Sequence, residues 1–165
     1  MSKIAIVYGS STGTTEVVAG KIQALLDGST LFNAADVSVE DLKPFDFLIF
    51  GASTTGVGDL QDDWEVLLPN IEKLDFSGKK LALFALGDSA SFSTSFAGAM
   101  YPLYKAFKNK AEIVGTVSTD GYVFDESDAV VNGKFVGLAL DEDNEYDQTD
   151  ARIEAWVEDL KQYLD

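Results

Sequence analysis

Gly9-Ser10-Ser11-Thr12-Gly13-Thr14-Thr15-Glu16 packs five hydroxyl side chains and two glycines into eight residues. It follows the apolar run Ile4-Ala5-Ile6-Val7-Tyr8 and precedes Val17, Val18 and Ile22 at helical spacing. A strand that turns through small hydroxylic residues into a helix suits an anion. Unpaired backbone N–H groups and the positive end of the helix dipole meet there, and the hydroxyls add O–H donors at short reach. No Lys or Arg lies between Gly9 and Glu16, so a phosphate held here would be held by neutral donors. The stretch is therefore not a Walker-type loop, where a Lys meets the phosphate, and it lacks the GxGxxG pattern. An ordinary Ser/Thr-rich helix cap has the same composition.

Two more stretches share this character. Ala52, Ser53, Thr54, Thr55, Gly56, Val57 and Gly58 follow the apolar residues 45–50, with Gly51 expected to stop that strand. Gly87 and Asp88, then the hydroxylic residues 89–95 with Phe92 among them, follow the apolar run ending at Leu86. Elsewhere the chemistry is sparse. There is no histidine and no cysteine, which removes the commonest general base and all thiolate chemistry and makes hydrolase triads and zinc sites poor expectations. Asp141-Glu142-Asp143 reads as a solvated acidic face rather than a metal site.

The elements that position these loops follow from periodicity. Residues 4–8, 45–50 and 79–86 are near-continuous apolar runs, residues 30–32 and 113–117 shorter ones. Between them lie helical patterns: Val17 to Leu26; residues 62–68, with Pro69 expected to end the helix; residues 97–107; and a last helix carrying Ile153, Trp156, Val157 and Leu160. Strand–helix alternation with apolar strands predicts an α/β domain with a mostly parallel sheet covered on both faces. In such sheets ligands sit beyond the carboxyl ends of the strands, so all three Gly-plus-hydroxyl loops belong on one edge. Residues 118–150 break the alternation. Asn132-Gly133 between Val130-Val131 and Phe135-Val136 is a hairpin signal, and an excursion this long suggests an interruption of the last strand.

At 165 residues and 46% hydrophobic content, the chain suits one globular domain. No apolar run approaches the ~20 residues needed to span a bilayer. The start, Met-Ser-Lys leading straight into a strand, has no signal-peptide pattern, which gives the expectation of a cytoplasmic protein. Twelve Lys and Arg against 28 Asp and Glu give a net charge of -16. That disfavours nucleic acid and anionic membranes and favours a basic protein surface as partner.

The three loops in this order resemble those of the flavodoxins. Residues 10–15 are similar to the family's phosphate loop, [ST]-x-[ST]-G-x-[ST]. Thr119-Asp120-Gly121-Tyr122 with residues 132–143 looks like the extra loop of the long-chain class, and Gly87-Asp88 and residues 58–64 also match. The resemblance covers essentially the whole chain. It implies a flavodoxin-like three-layer sandwich over residues 1–165. A five-stranded parallel sheet of order 2-1-3-4-5 would have helices on both faces and an insertion at about residues 118–138. It also implies a low-potential single-electron carrier with non-covalent FMN and no substrate turnover of its own. Such a carrier would be a monomer that shuttles between a reductase and acceptor redox proteins with basic surfaces.

By the same resemblance, Ser10, Ser11, Thr12, Gly13, Thr14 and Thr15 would hold the FMN phosphate. Ser53, Thr54, Thr55, Gly56, Val57 and Gly58 would cover one side of the flavin. Leu86, Gly87, Asp88, Phe92 and Ser95 would cover the other, with Asp88 accepting from a ring N–H. The Gly56–Val57 peptide would turn its carbonyl towards flavin N5 on reduction. Thr55 stands where the family normally has Trp, and Phe92 where it normally has Tyr. A missing indole forfeits about 1–3 kcal/mol of stacking, so weaker binding is expected, and a semiquinone/hydroquinone couple lying above the family's usual very negative range. A reductase of small quinones and a non-redox binding module are the alternatives.

Overall fold

The computed structural model describes residues 3–9, 13–55 and 59–164. In chain order the elements are β1 (Ile4–Gly9), α1 (Thr14–Leu25), β2 (Thr30–Asn33), α2 (Val39–Leu42), β3 (Phe47–Thr55), β4 (Asp59–Leu60), α3 (Asp62–Ile71) and β5 (Lys80–Leu86). They continue with α4 (Met100–Phe107), β6 (Glu112–Val114), β7 (Val117–Ser118), β8 (Val130–Val131), β9 (Lys134–Phe135), β10 (Leu138–Leu140) and α5 (Tyr146–Leu160).

β1 is buried at every position, as a central strand covered on both faces must be. It pairs in parallel with β2 on one side and β3 on the other, and β3 pairs in parallel with β5. Both β6 and β10 then lie along the far edge of β5. Glu112 and Val114 face Lys80 and Ala82, while Leu138 and Leu140 face Phe84 and Leu86. Counting parallel strands, the order is the expected 2-1-3-4-5, with the fifth strand in two pieces. The excursion runs from 115 to 137 and makes its own antiparallel sheet of β7, β9 and β8. Its Asn132-Gly133 turn has φ of +55° and +81°, the left-handed pair that a two-residue hairpin needs.

The side-chain alternation of β1 explains the three layers. Ala5 and Val7 point into a core shared with Trp64, Leu67 and Ile71 of α3 and Met100, Leu103 and Phe107 of α4. Ile4, Ile6 and Tyr8 point the other way, against Val18, Ala19 and Ile22 of α1 and Ile153, Trp156 and Val157 of α5. Trp64, Trp156, Tyr8 and Phe84 are all core residues, as their periodic apolar surroundings predict. Trp64 Nε1 donates to the Gly51 carbonyl at 2.7 Å, and Trp156 Nε1 to that of Gly115 at 2.8 Å, so burying each indole leaves no unsatisfied donor.

Four boundaries differ from the sequence expectations. Gly51 does not stop its strand: β3 runs through it to Thr55 and returns as β4, with Thr54 opposite Leu60 and Thr55 opposite Asp59. The glycine serves packing instead, since a Cβ there would lie 1.9 Å from Phe84 Cζ. Pro69 lies inside α3 rather than at its end. It sits on the exposed face near the last turn, where the one lost hydrogen bond meets water, while buried Trp64, Leu67 and Ile71 hold the opposite face. α4 starts at Met100 rather than Ala97, because Ala97 is left-handed (φ +53°). The run 113–117 is broken at Gly115 (φ +79°), which sends Val117 into the small sheet.

Candidate functional site

The carboxyl ends of β1, β3 and β5 face one edge, and β10 ends there too, because Leu140 pairs with Leu86. A cleft of about 320 Å³ opens at this edge. Thr14 and Thr15, the first residues of α1, form one part of its wall. Gly13, at φ +91°, turns the chain into that helix. Its carbonyl accepts from Val17 N at 3.2 Å. Ser53 and Thr54 at the end of β3 form the second part. Thr54 Oγ1 also accepts from Ala99 N at 3.3 Å, tying the second wall to the third.

Leu86, Gly87, Asp88, Phe92 and Ser95 form the third part. Asp88 organises it: its Oδ1 accepts from Ala90 N at 3.2 Å and Ser91 N at 3.0 Å, and its carbonyl from Phe92 N at 2.8 Å. Hydrogen bonds to the Asp88 carboxylate, from Ser91 N–H first and then from the Asn144 side-chain amide at 2.8 Å, hold this carboxyl below the usual carboxylate range. Phe92 is 42% exposed at the lip. The excursion braces this loop, since Asp125 N and Glu126 N donate to the Ser93 carbonyl at 2.8 and 2.9 Å.

Nine of the residues expected at the site therefore meet in one cleft: Thr14, Thr15, Ser53, Thr54, Leu86, Gly87, Asp88, Phe92 and Ser95. Ser10, Ser11, Thr12, Gly56, Val57 and Gly58 lie outside the described residues, and Thr55 is placed by its backbone alone. Ala97, Glu142 and Asp143 line the cleft but were not expected there. The signal that locates Glu142 and Asp143 is Leu138-Ala139-Leu140. Once that run is taken as the second half of the last strand, the residues after it fall at the carboxyl edge.

The acidic run is only in part a solvated face: Asp143 is exposed and Glu142 half-buried. Asp141 is fully buried. It accepts from Asn144 N at 3.2 Å and Asn144 Nδ2 at 2.9 Å through Oδ1, and from Ser89 Oγ through Oδ2. It thus closes the turn before α5 instead of meeting water. Asp143 is pushed up by desolvation first, then by the charges of Asp88, Asp141 and Glu142. No group of His, Cys, Asp or Glu suited to a metal ion occurs among the described residues.

Five buried side-chain atoms find no hydrogen-bond partner among the described residues, and four of them belong to residues that line this cleft: Thr15 Oγ1, Ser53 Oγ, Ser95 Oγ and Glu142 Oε1. Leaving such a group unpaired costs about 1–3 kcal/mol. Their convergence marks a surface shaped for a polar molecule that supplies the missing partners.

The sequence profile of the flavodoxin family matches residues 6–156. The chain belongs to the flavodoxin family. A flavodoxin of Picosynechococcus sp. is 46% identical over 165 residues, covering 98% of this chain and 97% of its own. Flavodoxin 1 of Azotobacter vinelandii is 45% identical over 169 residues, with 98% and 97% covered. A solved flavodoxin of Fusobacterium nucleatum, bound to flavin mononucleotide, superposes with a TM-score of 0.95 at 35% identity and covers all of both chains.

Proposed function

We propose that this chain is a low-potential, single-electron carrier that holds FMN non-covalently in the cleft, as one flavodoxin-like domain over residues 1–165. The observation that carries the reading is the set of unpartnered groups at the carboxyl edge. Three hydroxyls can donate to phosphate or ring oxygens, and one carboxylate can accept from a ribityl hydroxyl. FMN carries both kinds of group, so the donor and acceptor set fits it.

Thr14 and Thr15, with Ser10, Ser11 and Thr12 of the same loop, bind the phosphate as neutral donors at the start of α1. Ser53, Thr54, Thr55, Gly56, Val57 and Gly58 exclude water from one side of the ring, and Leu86, Gly87, Phe92 and Ser95 from the other. Asp88 holds its loop in shape and orients the ring edge. When bound, FMN supplies the electron transfer itself. The chain supplies anchoring, orientation and a negative field, which makes added electrons costly and so lowers the potential.

The net charge of -16 selects redox partners with basic surfaces by steering their approach. Among the described residues no helix is long and apolar enough to cross a membrane. A cytoplasmic monomer suits a carrier that must leave one partner to reach the next.

Stopped-flow reduction of a basic acceptor such as cytochrome c tests this reading. The rate should fall steeply as salt rises, because screening removes the steering. The FMN-loaded protein alone should oxidise no NAD(P)H in the steady state. Turnover of a quinone with NAD(P)H by the isolated protein would replace the carrier with a reductase.

A further inference from the structure

Two side chains tie the third wall of the cleft to the turn before α5: Ser89, whose Oγ donates to Asp141, and Asn144, which reaches both sides. Asn144 Nδ2 donates to Asp88 Oδ1 at 2.8 Å and to Asp141 Oδ1 at 2.9 Å. Both acceptors are carboxylates with structural duties. Asp88 gathers Ala90 N and Ser91 N and so shapes the loop that ends at Phe92. Asp141 is fully buried and accepts from Ser89 Oγ on that same loop. Without a donor between them, two carboxylates would face each other beside Glu142 and Asp143, and like charges at short range repel. Asn144 is itself exposed, so packing does not hold its side chain there.

We propose that Asn144 is a positioning residue for the FMN cleft: its amide clamps Asp88 and Asp141 together and thereby fixes the loop that carries Phe92. The cofactor consequence rests on the FMN reading above; the clamp itself does not. The bonds run from a neutral amide to ionised acceptors, which places them among the stronger protein hydrogen bonds. The depressed carboxyl of Asp88, to which the Asn144 amide contributes, agrees with a clamp that works on the ionised form.

The test compares Asn144→Ala and Asn144→Gln, the latter keeping an amide on a longer arm, with the unmodified protein. In the apoproteins, hydrogen exchange of the Ser91 and Phe92 amides should be about tenfold faster in Asn144→Ala and largely restored in Asn144→Gln, while amides of β1 keep their protection. FMN titration should show about tenfold weaker binding for Asn144→Ala, with an altered visible circular dichroism of the bound flavin. Exchange at Ser91 and Phe92 unchanged in Asn144→Ala overturns the clamp. So does faster exchange spread evenly over β1, which would mean global loosening. If the unmodified protein binds no FMN, the cofactor reading fails while the exchange measurement still decides the clamp.

Discussion

Replacing Thr15 by Val separates a cofactor-binding hydroxyl from a structural one, because the two roles predict opposite signs. Thr15 is 1% exposed, and its Oγ1 has no hydrogen-bond partner among the described residues. In the apoprotein the hydroxyl bears a desolvation cost of about 1–3 kcal/mol. Val keeps the β-branched shape and removes that cost, so the apoprotein should be unchanged or more stable by about 1 kcal/mol. On the proposed reading the hydroxyl donates to an anionic phosphate in the holoprotein, and hydrogen bonds to charged groups contribute about 1.5–3 kcal/mol. FMN affinity should therefore fall by about ten- to a hundredfold. Urea unfolding of the apoprotein gives the first quantity, and quenching of flavin fluorescence on titration gives the second. A variant that loses apoprotein stability while binding FMN as tightly as before would refute the argument.

Gly51→Ala should lower stability by about 1–3 kcal/mol or more, because its Cβ would lie 1.9 Å from Phe84 Cζ in a fully buried ring; a normal urea midpoint would contradict the packing account of this glycine. Desolvation and its acidic neighbours raise the Asp143 carboxyl, so its contribution to stability is full below the ordinary carboxylate range and lost as pH rises through the raised value. Asp143→Asn should therefore gain stability relative to the parent as pH climbs from about 4, levelling off once Asp143 is ionised; unfolding curves whose separation ignores pH would contradict this. Thr55→Trp should tighten FMN binding by about 1–3 kcal/mol of stacking, and an unchanged dissociation constant would show that the ring face is covered by another group.

The parallel order and the shared edge of the three loops were legible because each long strand begins as an apolar run and leads into small hydroxylic residues. Asn132-Gly133 likewise announced its turn through two residues that accept positive φ. What stayed hidden depends on tertiary contact. Gly51 looked like a strand terminator, and only the ring of Phe84 from the next strand shows why a side chain is excluded there. Pro69 looked like a helix end, yet the buried face of α3 holds the helix past it. Asp141 sits in an acidic run that composition assigns to solvent; its burial depends on Ser89, 52 residues away in sequence. Glu142 and Asp143 were missed for a related reason, since Leu138-Ala139-Leu140 pairs only with β5, across the length of an excursion.

FMN titration of the apoprotein, followed by flavin fluorescence and the visible spectrum, tests the central claim most directly. Saturable quenching at one FMN per chain, weakened by Thr15→Val and Ser95→Ala, is the predicted result. An apoprotein that leaves flavin fluorescence unchanged at micromolar FMN would contradict it, and the four unpartnered groups would then need a different ligand.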